Sequence, residues 1–436
     1  MTTVAKVVQA MQTILTQTAD QAAQLTRFVQ RRSKLSGAAF VQTLVFGWLA
    51  NPQATLEELA QTAATRGVRI SPQGLEQRFT PAAAQCLQQV LEAGVASLVA
   101  ADPVAIPLLQ RFHGVYLMDS SVIALPAALA GVWSGGDGGS SGPRAALKLQ
   151  LRLELSRGQL ELALQAGRAH DCTTPWQSVP AGALRLADLG YFDLGVLAQL
   201  QAQGSYCLTR VKAGTQLGDP GGRLRQLVEF LSEQASHLVD RPIELGQAQL
   251  ACRLIAVRVP EQVANQRRRR LHRAARRKGQ AVSPARLALA DWTIFATNLP
   301  AEKLSVEEAL VLGRVRWQIE LLFKLWKSHG QLDAWRSENP WRILCEVYAK
   351  LLALLLQHWI FLASGWQYPD RSLSKAAQTV SKQAWHLASV FDCAPRVMEV
   401  LRVIQRCLAA GCRINKRRTE PHTFQLLLQF NHGGLA

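Results

Sequence analysis

The sequence predicts an α+β protein in which a strand-rich centre lies between helical regions at the two ends. Apolar residues recur at helical spacing before residue 105 and after residue 345. Between these regions, apolar and polar residues alternate as they do in half-buried strands. The composition, 48% hydrophobic and 18% charged, is that of a globular protein. A length of 436 residues exceeds one compact core, so we expect several folding units.

Residues 1–105 are predicted to form a helical, DNA-binding N-terminal domain. Within it, residues 55–80 are typical of a helix-turn-helix, in which Ser71 caps the second helix and Pro72 is its first residue. If the pair binds DNA, Arg78 faces the groove. Two ordinary bundle helices are the alternative, and the pattern on its own favours them.

Residues 106–212 are predicted to form the first part of a core that contains both strands and helices. VYLMDSSVIAL begins with an apolar run that ends at Asp119, and two alternating stretches around residues 156–159 predict an antiparallel hairpin with one buried face. A fourth strand ends at Asp188, a helix follows from about Asp193, and SYCLTRVKAG is a fifth strand. This order is that of an RNase H-like core, which makes Asp119 and Asp188 potential neighbours.

Residues 213–300 are predicted to form a β-rich insertion that interrupts this core. Its strand-like pieces are separated by a basic loop, QRRRRLHRAARRKGQ. Lys and Arg total 49 against 31 Asp and Glu, a formal charge of +18, which favours a polyanionic partner. A basic loop is also compatible with a merely solubilising surface, but at this net charge we prefer contact with DNA phosphates. The arginines that we assign to this contact are Arg267, Arg268, Arg269 and Arg270.

Residues 301–345 are predicted to return to the core. Within them the stretch from Ser305 to Lys327 is predicted to be a helix, with a capping box of Ser305 and Glu308 at its start. Residues 346–436 are predicted to be a helical C-terminal region with a possible role in dimerisation. The apolar run at residues 351–364 is shorter than the roughly 20 residues of a membrane span, so we interpret it as a buried helix. No membrane association is expected.

The compartment is predicted to be the cytoplasm. The N-terminus lacks the charged and apolar regions of a secretory signal. The eight cysteines are scattered, with no CxxC pair and no zinc-type spacing, which is typical of a reducing environment.

The candidate chemistry centres on the predicted helix that contains Glu320. Arg316, Glu320 and Lys327 are spaced by four and seven residues, which places them on one helix face, and Lys324 follows Glu320 by four. A carboxylate there can bind a metal ion while the cations hold phosphates. Spacing alone favours the alternative, a solvated helix with salt bridges.

RWQIELLFKLWKS, preceded by MDSS and ADLGYFDL, resembles the DDE transposases of the insertion-sequence-four family. The family signature is Tyr, two residues, Arg, three residues, Glu, six residues, Lys. This chain matches it at Arg316, Glu320 and Lys327 but has Gly313 in the tyrosine position. The resemblance extends from about Asp119 to Trp341.

The resemblance implies that Asp119, Asp188 and Glu320 are catalytic and bind two Mg²⁺ or Mn²⁺ ions, and that Arg316 and Lys327 contact phosphates. It implies cleavage at transposon ends, strand transfer into target DNA, and a homodimer that assembles on the inverted repeats in a bacterial or archaeal nucleoid. Trp292 resembles the aromatic residue that stacks on an extruded base in relatives, and a core role is an equal alternative.

Two rival functions stay open at this point. A non-transposing RNase H-like nuclease shares the metal site but does not need transposon ends. A catalytically decayed, purely DNA-binding relative is favoured by Gly313 and opposed by the retention of all three acids.

Overall fold

The computed structural model describes residues 3–31, 35–136, 144–277 and 279–430. The sequence from Gly135 to Gly142 is rich in Gly and Ser and is predicted to be a loop, and residues 137–142 of it lie outside the described residues, as does Lys278. The strands are β1 (Val115–Leu125), β2 (Ala145–Glu154), β3 (Leu160–Ala166), β4 (Leu184–Ala187), β5 (Tyr206–Thr209), β6 (Gln216–Gly218), β7 (Arg225–Gln226), β8 (Leu238–Leu245), β9 (Leu250–Arg258) and β10 (Trp292–Thr297). They form one mixed sheet in the order β3-β2-β1-β4-β5-β10-β9-β8-β6-β7.

Helical regions precede and follow this sheet in the chain, so the predicted α+β class is confirmed. The helices before the sheet are α1 (Thr3–Thr13), α2 (Ala19–Leu25), α3 (Gly37–Ala50), α4 (Leu56–Thr65), α5 (Pro72–Glu76), α6 (Pro81–Ala96) and α7 (Pro107–Gln110). Those between strands are α8 (Leu194–Ala202), α9 (Leu227–Ser232), α10 (Glu261–Arg277) and α11 (Pro284–Ala288). Those after the sheet are α12 (Val306–Val315), α13 (Trp317–Ser328), α14 (Pro340–Ser364), α15 (Leu373–Lys382), α16 (Ala384–Val390), α17 (Ala394–Gly411) and α18 (Thr423–Gln429).

The chain divides into two compact units, each built from separated stretches. The first comprises Met1–Ile106, Ser120–Ala169 and Gln318–Gln425, and the second comprises Pro107–Asp119, His170–Trp317 and Leu426–Ala436. The helical ends of the chain and the β2–β3 hairpin thus share one unit. The five segments expected from the sequence stay a prediction about domain organisation.

Helix α14 is the core helix of the first unit. Pro340 is its first residue and Asn339 caps it, both favourable at a helix start. Among the described residues it is the one helix long and apolar enough to span a membrane, but its apolar stretch is completely buried inside the protein. The prediction of a buried helix here is therefore confirmed.

The β2–β3 hairpin is antiparallel, as predicted. The expectation of one buried face is wrong, because β2 is buried along almost its whole length, including Lys148, Gln150 and Glu154. Buried polar groups need partners, and these have them. The Lys148 ammonium donates to the Ala169 carbonyl, and the Glu154 carboxylate accepts from the backbone of Ser156 and Arg157.

The hairpin turn is bound to the C-terminal helices within the same unit. His358, 5% exposed, lies with Nε2 2.7 Å from the Gly158 carbonyl oxygen, and Trp366 Nε1 donates to the Leu155 carbonyl. Burial lowers the pKa of His358 to about 4, so the neutral imidazole donates this hydrogen bond.

The predicted helix-turn-helix is present only in part. Ser71 caps α5 and Pro72 opens it, as predicted, but α5 has only 5 residues. That is less than two turns, which is short for a recognition helix. The structure thus favours the alternative of two bundle helices, while the exposed Arg78 after α5 stays a predicted DNA contact.

The basic segment of the insertion is a helix, not the predicted loop. Residues 261–277 form α10, a run of 17 residues without Gly or Pro. Arg, Ala and Gln have high helix propensity, and Glu261 in the first turn complements the helix dipole, so the local sequence favours a helix. The helix ends before Gly279, which has a positive φ.

Candidate active site

Two parallel strands place Asp119 and Asp188 side by side. Strands β1 and β4 pair in register up to Met118 opposite Ala187, so the next residue on each is an aspartate. Residues in register on parallel strands point to the same face of a sheet, which is the neighbourhood that the sequence predicted. β1 does not end at Asp119 but continues to Leu125, whereas β4 ends at Ala187, one residue before the predicted end at Asp188.

Arg316 joins the two carboxylates. Its Nη1 lies 4.0 Å from Asp119 Oδ2 and its Nη2 lies 3.7 Å from Asp188 Oδ1. The Arg316 side chain is only 13% exposed, so water screens these charges less than it would on an open surface. The guanidinium thereby offsets the repulsion between the carboxylates, and all three residues belong to the second unit.

The helix predicted from Ser305 to Lys327 is two helices. Its capping box is present, since the Ser305 hydroxyl accepts from the Glu308 backbone and the Glu308 carboxylate accepts from the Ser305 backbone. Helix α12 ends at Val315, α13 begins at Trp317, and Arg316 between them keeps a helical backbone conformation. Arg316 therefore does not share a continuous helix with Glu320.

Helix α13 carries the third candidate acid and two lysines. Glu320 is half-buried, Lys324 is exposed, and Lys327 donates from Nζ to the Val122 carbonyl on β1 at 3.2 Å. Glu320, Lys327 and Val122 all belong to the first unit. The predicted phosphate contacts of both lysines stay predictions.

Exposed apolar side chains on α13 were not identified from the sequence. Trp317 is 54% exposed and Leu321 is 45% exposed, one helical turn apart. The available signal was their position next to Glu320 on a helix face that is otherwise polar. Exposure of a tryptophan to this degree is unusual and typical of binding surfaces.

The space beside Gly313 is filled by an aromatic ring. A Cβ added at Gly313 would lie 2.3 Å from Cζ of Phe295 on β10, in the same unit. Phe295 is 7% exposed, so its ring has little room to withdraw. The departure from the family signature at this position therefore has a packing reason.

Trp292 is a core residue in this structure. It is 7% exposed, belongs to the hydrophobic cluster of the second unit, and has the Arg258 guanidinium 4.7 Å from its ring centroid. The structure thus favours the core role over base stacking.

The four arginines assigned to DNA fall into two classes. Arg267 donates to the Trp292 carbonyl at 2.8 Å and to Thr293 Oγ1 at 2.9 Å, and Arg268 pairs with Asp291. Burial lowers the pKa of Arg267, and the charges of neighbouring arginines add to this effect. Arg269 and Arg270 are exposed instead. The first pair holds α10 against β10, and the second pair is available to a ligand.

The donor set at the sheet suits a hard divalent cation. Paired carboxylate oxygens are ligands that Mg²⁺ and Mn²⁺ prefer. Within the described ranges, no three His, Cys, Asp or Glu side chains lie close enough to form a complete metal site. The structure brings together Asp119 and Asp188, and Glu320 remains the expected third ligand.

Comparison with known proteins identifies transposases as relatives of this chain. The chain is 26% identical to the transposase for insertion sequence element IS231B of Bacillus thuringiensis subsp. berliner, over 79% of this chain and 76% of that protein. It is 24% identical to the transposase for IS1151 of Clostridium perfringens, over 78% and 76%. A putative transposase InsL for IS186A of Escherichia coli K12 is 39% identical over 25% of this chain and 30% of that protein. The family described as "Transposase DDE domain" matches residues 110–356, more than half of the sequence. The chain therefore belongs to the DDE transposases of insertion sequence elements.

Proposed function

We propose that Asp119, Asp188 and Glu320 form the catalytic triad of this transposase, on an RNase H-like core, and hold two Mg²⁺ or Mn²⁺ ions. The observation that carries the proposal is the register of β1 and β4, which sets two carboxylates side by side at the family's first two acidic motifs. The order β3-β2-β1-β4-β5 within the sheet supports the proposal of an RNase H-like core.

When bound, the two ions supply an activated oxygen nucleophile and neutralise charge on the phosphate and the leaving oxygen. The protein's own contribution is to hold the carboxylates and to bind the strand. Strand pairing fixes Asp119 and Asp188 before any ligand binds, which lowers the cost of organising the site. Arg316, already at both carboxylates, is in reach of a phosphate that enters beside them.

The DNA strand is bound by cations and an aromatic residue around these acids. Lys324 and Lys327 on α13 contact phosphates of the cleaved strand, and the exposed Trp317 packs against a sugar or base. Helix α10 contacts the flanking duplex through its exposed arginines. The substrates are the element's terminal inverted repeats and target DNA.

The remaining family properties extend this proposal to the assembled enzyme. The chain acts as a homodimer on DNA through its C-terminal helices and works in the bacterial or archaeal cytoplasm at the nucleoid. Its signature supports membership of the insertion-sequence-four group, with Gly313 in the tyrosine position, where the Phe295 ring leaves no room for a Cβ.

The test is cleavage of labelled DNA that carries the element's own flanking ends, with Mg²⁺ or Mn²⁺. Asp119→Asn, Asp188→Asn and Glu320→Gln should each reduce nicking at the ends by at least about a thousandfold, because each removes a charged metal ligand. Glu302→Gln is the matched control, since Glu302 is an exposed acid of the second unit. It should cut at the wild-type rate.

Other outcomes support a different function or exclude a residue from the triad. Equal cleavage of DNA with and without the ends indicates a non-transposing nuclease. Binding to the ends without cleavage by the wild type indicates a decayed DNA-binding relative. Cleavage by an acid variant at the wild-type rate removes that residue from the triad.

A further inference from the structure

Two short 3₁₀ turns pack against each other beside Asp188. The first, Asp171–Thr173, follows the hairpin, and the second, Leu189–Tyr191, begins directly after Asp188. The Cys172 thiol donates to the Gly190 carbonyl at 3.2 Å. The Asp171 carboxylate lies over Gly190 so closely that a Cβ there would be 2.4 Å from Asp171 Oδ2. Both turns belong to the second unit.

Gly190 is a glycine for reasons of space. Its φ is not in the left-handed region, in contrast to Gly182 and Gly204 nearby in the sequence. Any other residue could adopt its backbone conformation but would collide with the carboxylate. The identity of residue 190 thus depends on the side chain at position 171.

The second turn, Leu189–Tyr191, also packs against strands β1 and β4 of the sheet. Tyr191, 2% exposed, packs with Met118 and Ala187, the last residues of β1 and β4 before the two aspartates. The Tyr191 amide donates to the Asp188 carbonyl at 3.0 Å. The backbone of Asp188 is therefore held between the sheet and the turn that contains Asp171.

We propose that Asp171 is a positioning residue: through its packing on Gly190 it fixes the turn after Asp188 and thereby the orientation of the Asp188 carboxylate. This inference rests on the proposed role of Asp188 as a metal ligand. Groups that orient a metal ligand typically affect metal affinity or activity by about 10 to 100-fold. Asp171 does not touch the substrate in this proposal, and its effect reaches the site through residues 188–190.

The experiment is a double-mutant cycle with Asp171→Ala, Gly190→Ala and the combined variant. Asp171→Ala removes the support, and Gly190→Ala forces the carboxylate away. In the combined variant the nearest remaining atom of residue 171 is its Cβ, 3.4 Å from the new Cβ, which is an ordinary contact. The added methyl group then fills the space that the carboxylate leaves, so the two changes should compensate.

Two quantities are measured: Mn²⁺ binding without DNA, from the paramagnetic resonance signal of free Mn²⁺, and the Mg²⁺ concentration for half-maximal nicking. Each single alanine variant should weaken both by about 10 to 100-fold, and the double variant should recover most of the loss. Asp171→Asn keeps the size of the side chain and should stay within about threefold of wild type. The melting temperatures of the variants without metal should stay close to that of the wild type. A residue with a merely structural role would lower the melting temperature instead.

Additive losses in the double variant would overturn the proposal, as would an Asp171→Asn variant that is as impaired as Asp171→Ala. Failure of the proposed function is recognised separately. In that case Asp188→Asn binds Mn²⁺ and cleaves like the wild type, whatever the behaviour of the position 171 variants.

Discussion

The exposed arginines of α10 give the most quantitative test of how this transposase holds DNA. Arg269, Arg273 and Arg276 are spaced by four and three residues, so they lie on one face, and all three are exposed. Changing the three to glutamine removes three charges while keeping long polar side chains with good helix propensity. The fold of the insertion should therefore be retained.

The magnitude follows from counterion release. Each phosphate contact contributes about 0.9 to the slope of log affinity against log salt, so the triple variant should lose up to about 2.7 from that slope. Between 50 and 200 mM salt, the affinity of the wild type should then fall about 40-fold more than that of the variant. The weakening should be similar for end DNA and for unrelated DNA, because phosphates carry no sequence information.

The assay is fluorescence anisotropy of labelled duplexes at several KCl concentrations, without Mg²⁺ or Mn²⁺. Arg267→Gln is the matched control on the same helix, because Arg267 donates to the Trp292 carbonyl and to Thr293 rather than to solvent. It should lower the melting temperature and leave the slope within about 0.3 of wild type. A triple variant with an unchanged slope would refute the assignment of α10 to DNA.

Three further predictions concern packing and stability. Gly313→Ala should destabilise the protein despite a helix-propensity gain of about 1 kcal/mol, because the new Cβ would collide with the Phe295 ring. Adding Phe295→Leu should restore the denaturation midpoint. A single Gly313→Ala variant that is more stable than the wild type would contradict this reasoning. Because the pKa of His358 is about 4 when folded and 6.5 in the unfolded chain, the unfolded state takes up a proton as pH falls below 6.5. Wild type should therefore lose about 2 kcal/mol more than His358→Gln between pH 7.5 and pH 5 in urea unfolding, and parallel losses would disprove it. Lys350→Met leaves the buried Glu346 without its ion-pair partner and should cost about 3 to 5 kcal/mol in the same assay, while Glu346→Leu in addition should recover stability.

The two aspartates could be predicted as neighbours because each follows an apolar run that is typical of a strand. The sequence did not predict that β1 continues past Asp119 to Leu125. Glu320 was proposed as the third acid through the resemblance of RWQIELLFKLWKS to the family signature, because the spacing of the charged residues alone favours a solvated helix with salt bridges. That spacing does not reveal the interruption at Arg316, because the Arg316 backbone stays helical and its neighbours have ordinary helix propensity.

Other features depend on contacts between distant residues, which local patterns do not report. Strand β2 of the hairpin is buried on both faces, and its buried polar side chains have partners, as Lys148 does at the Ala169 carbonyl. Trp292 is in the core because the insertion packs around it, and its sequence neighbourhood is equally compatible with an exposed position. The same holds for Gly190, whose need for space arises from Asp171, nineteen positions earlier in the printed sequence.

The insertion has an architecture that bears on how such enzymes diversify. Arg258, the last residue of β9, pairs directly with Trp292, the first residue of β10, so the chain leaves the sheet and returns to it at the same rung. The segment between them, which includes α10 and α11, is therefore connected to the sheet at two residues that are hydrogen-bonding neighbours. A change in the length of residues 259–291 should therefore leave the register of β9 and β10 unaltered. The DNA contact that we propose for α10 can thus change while the strands beside Asp119 and Asp188 keep their pairing.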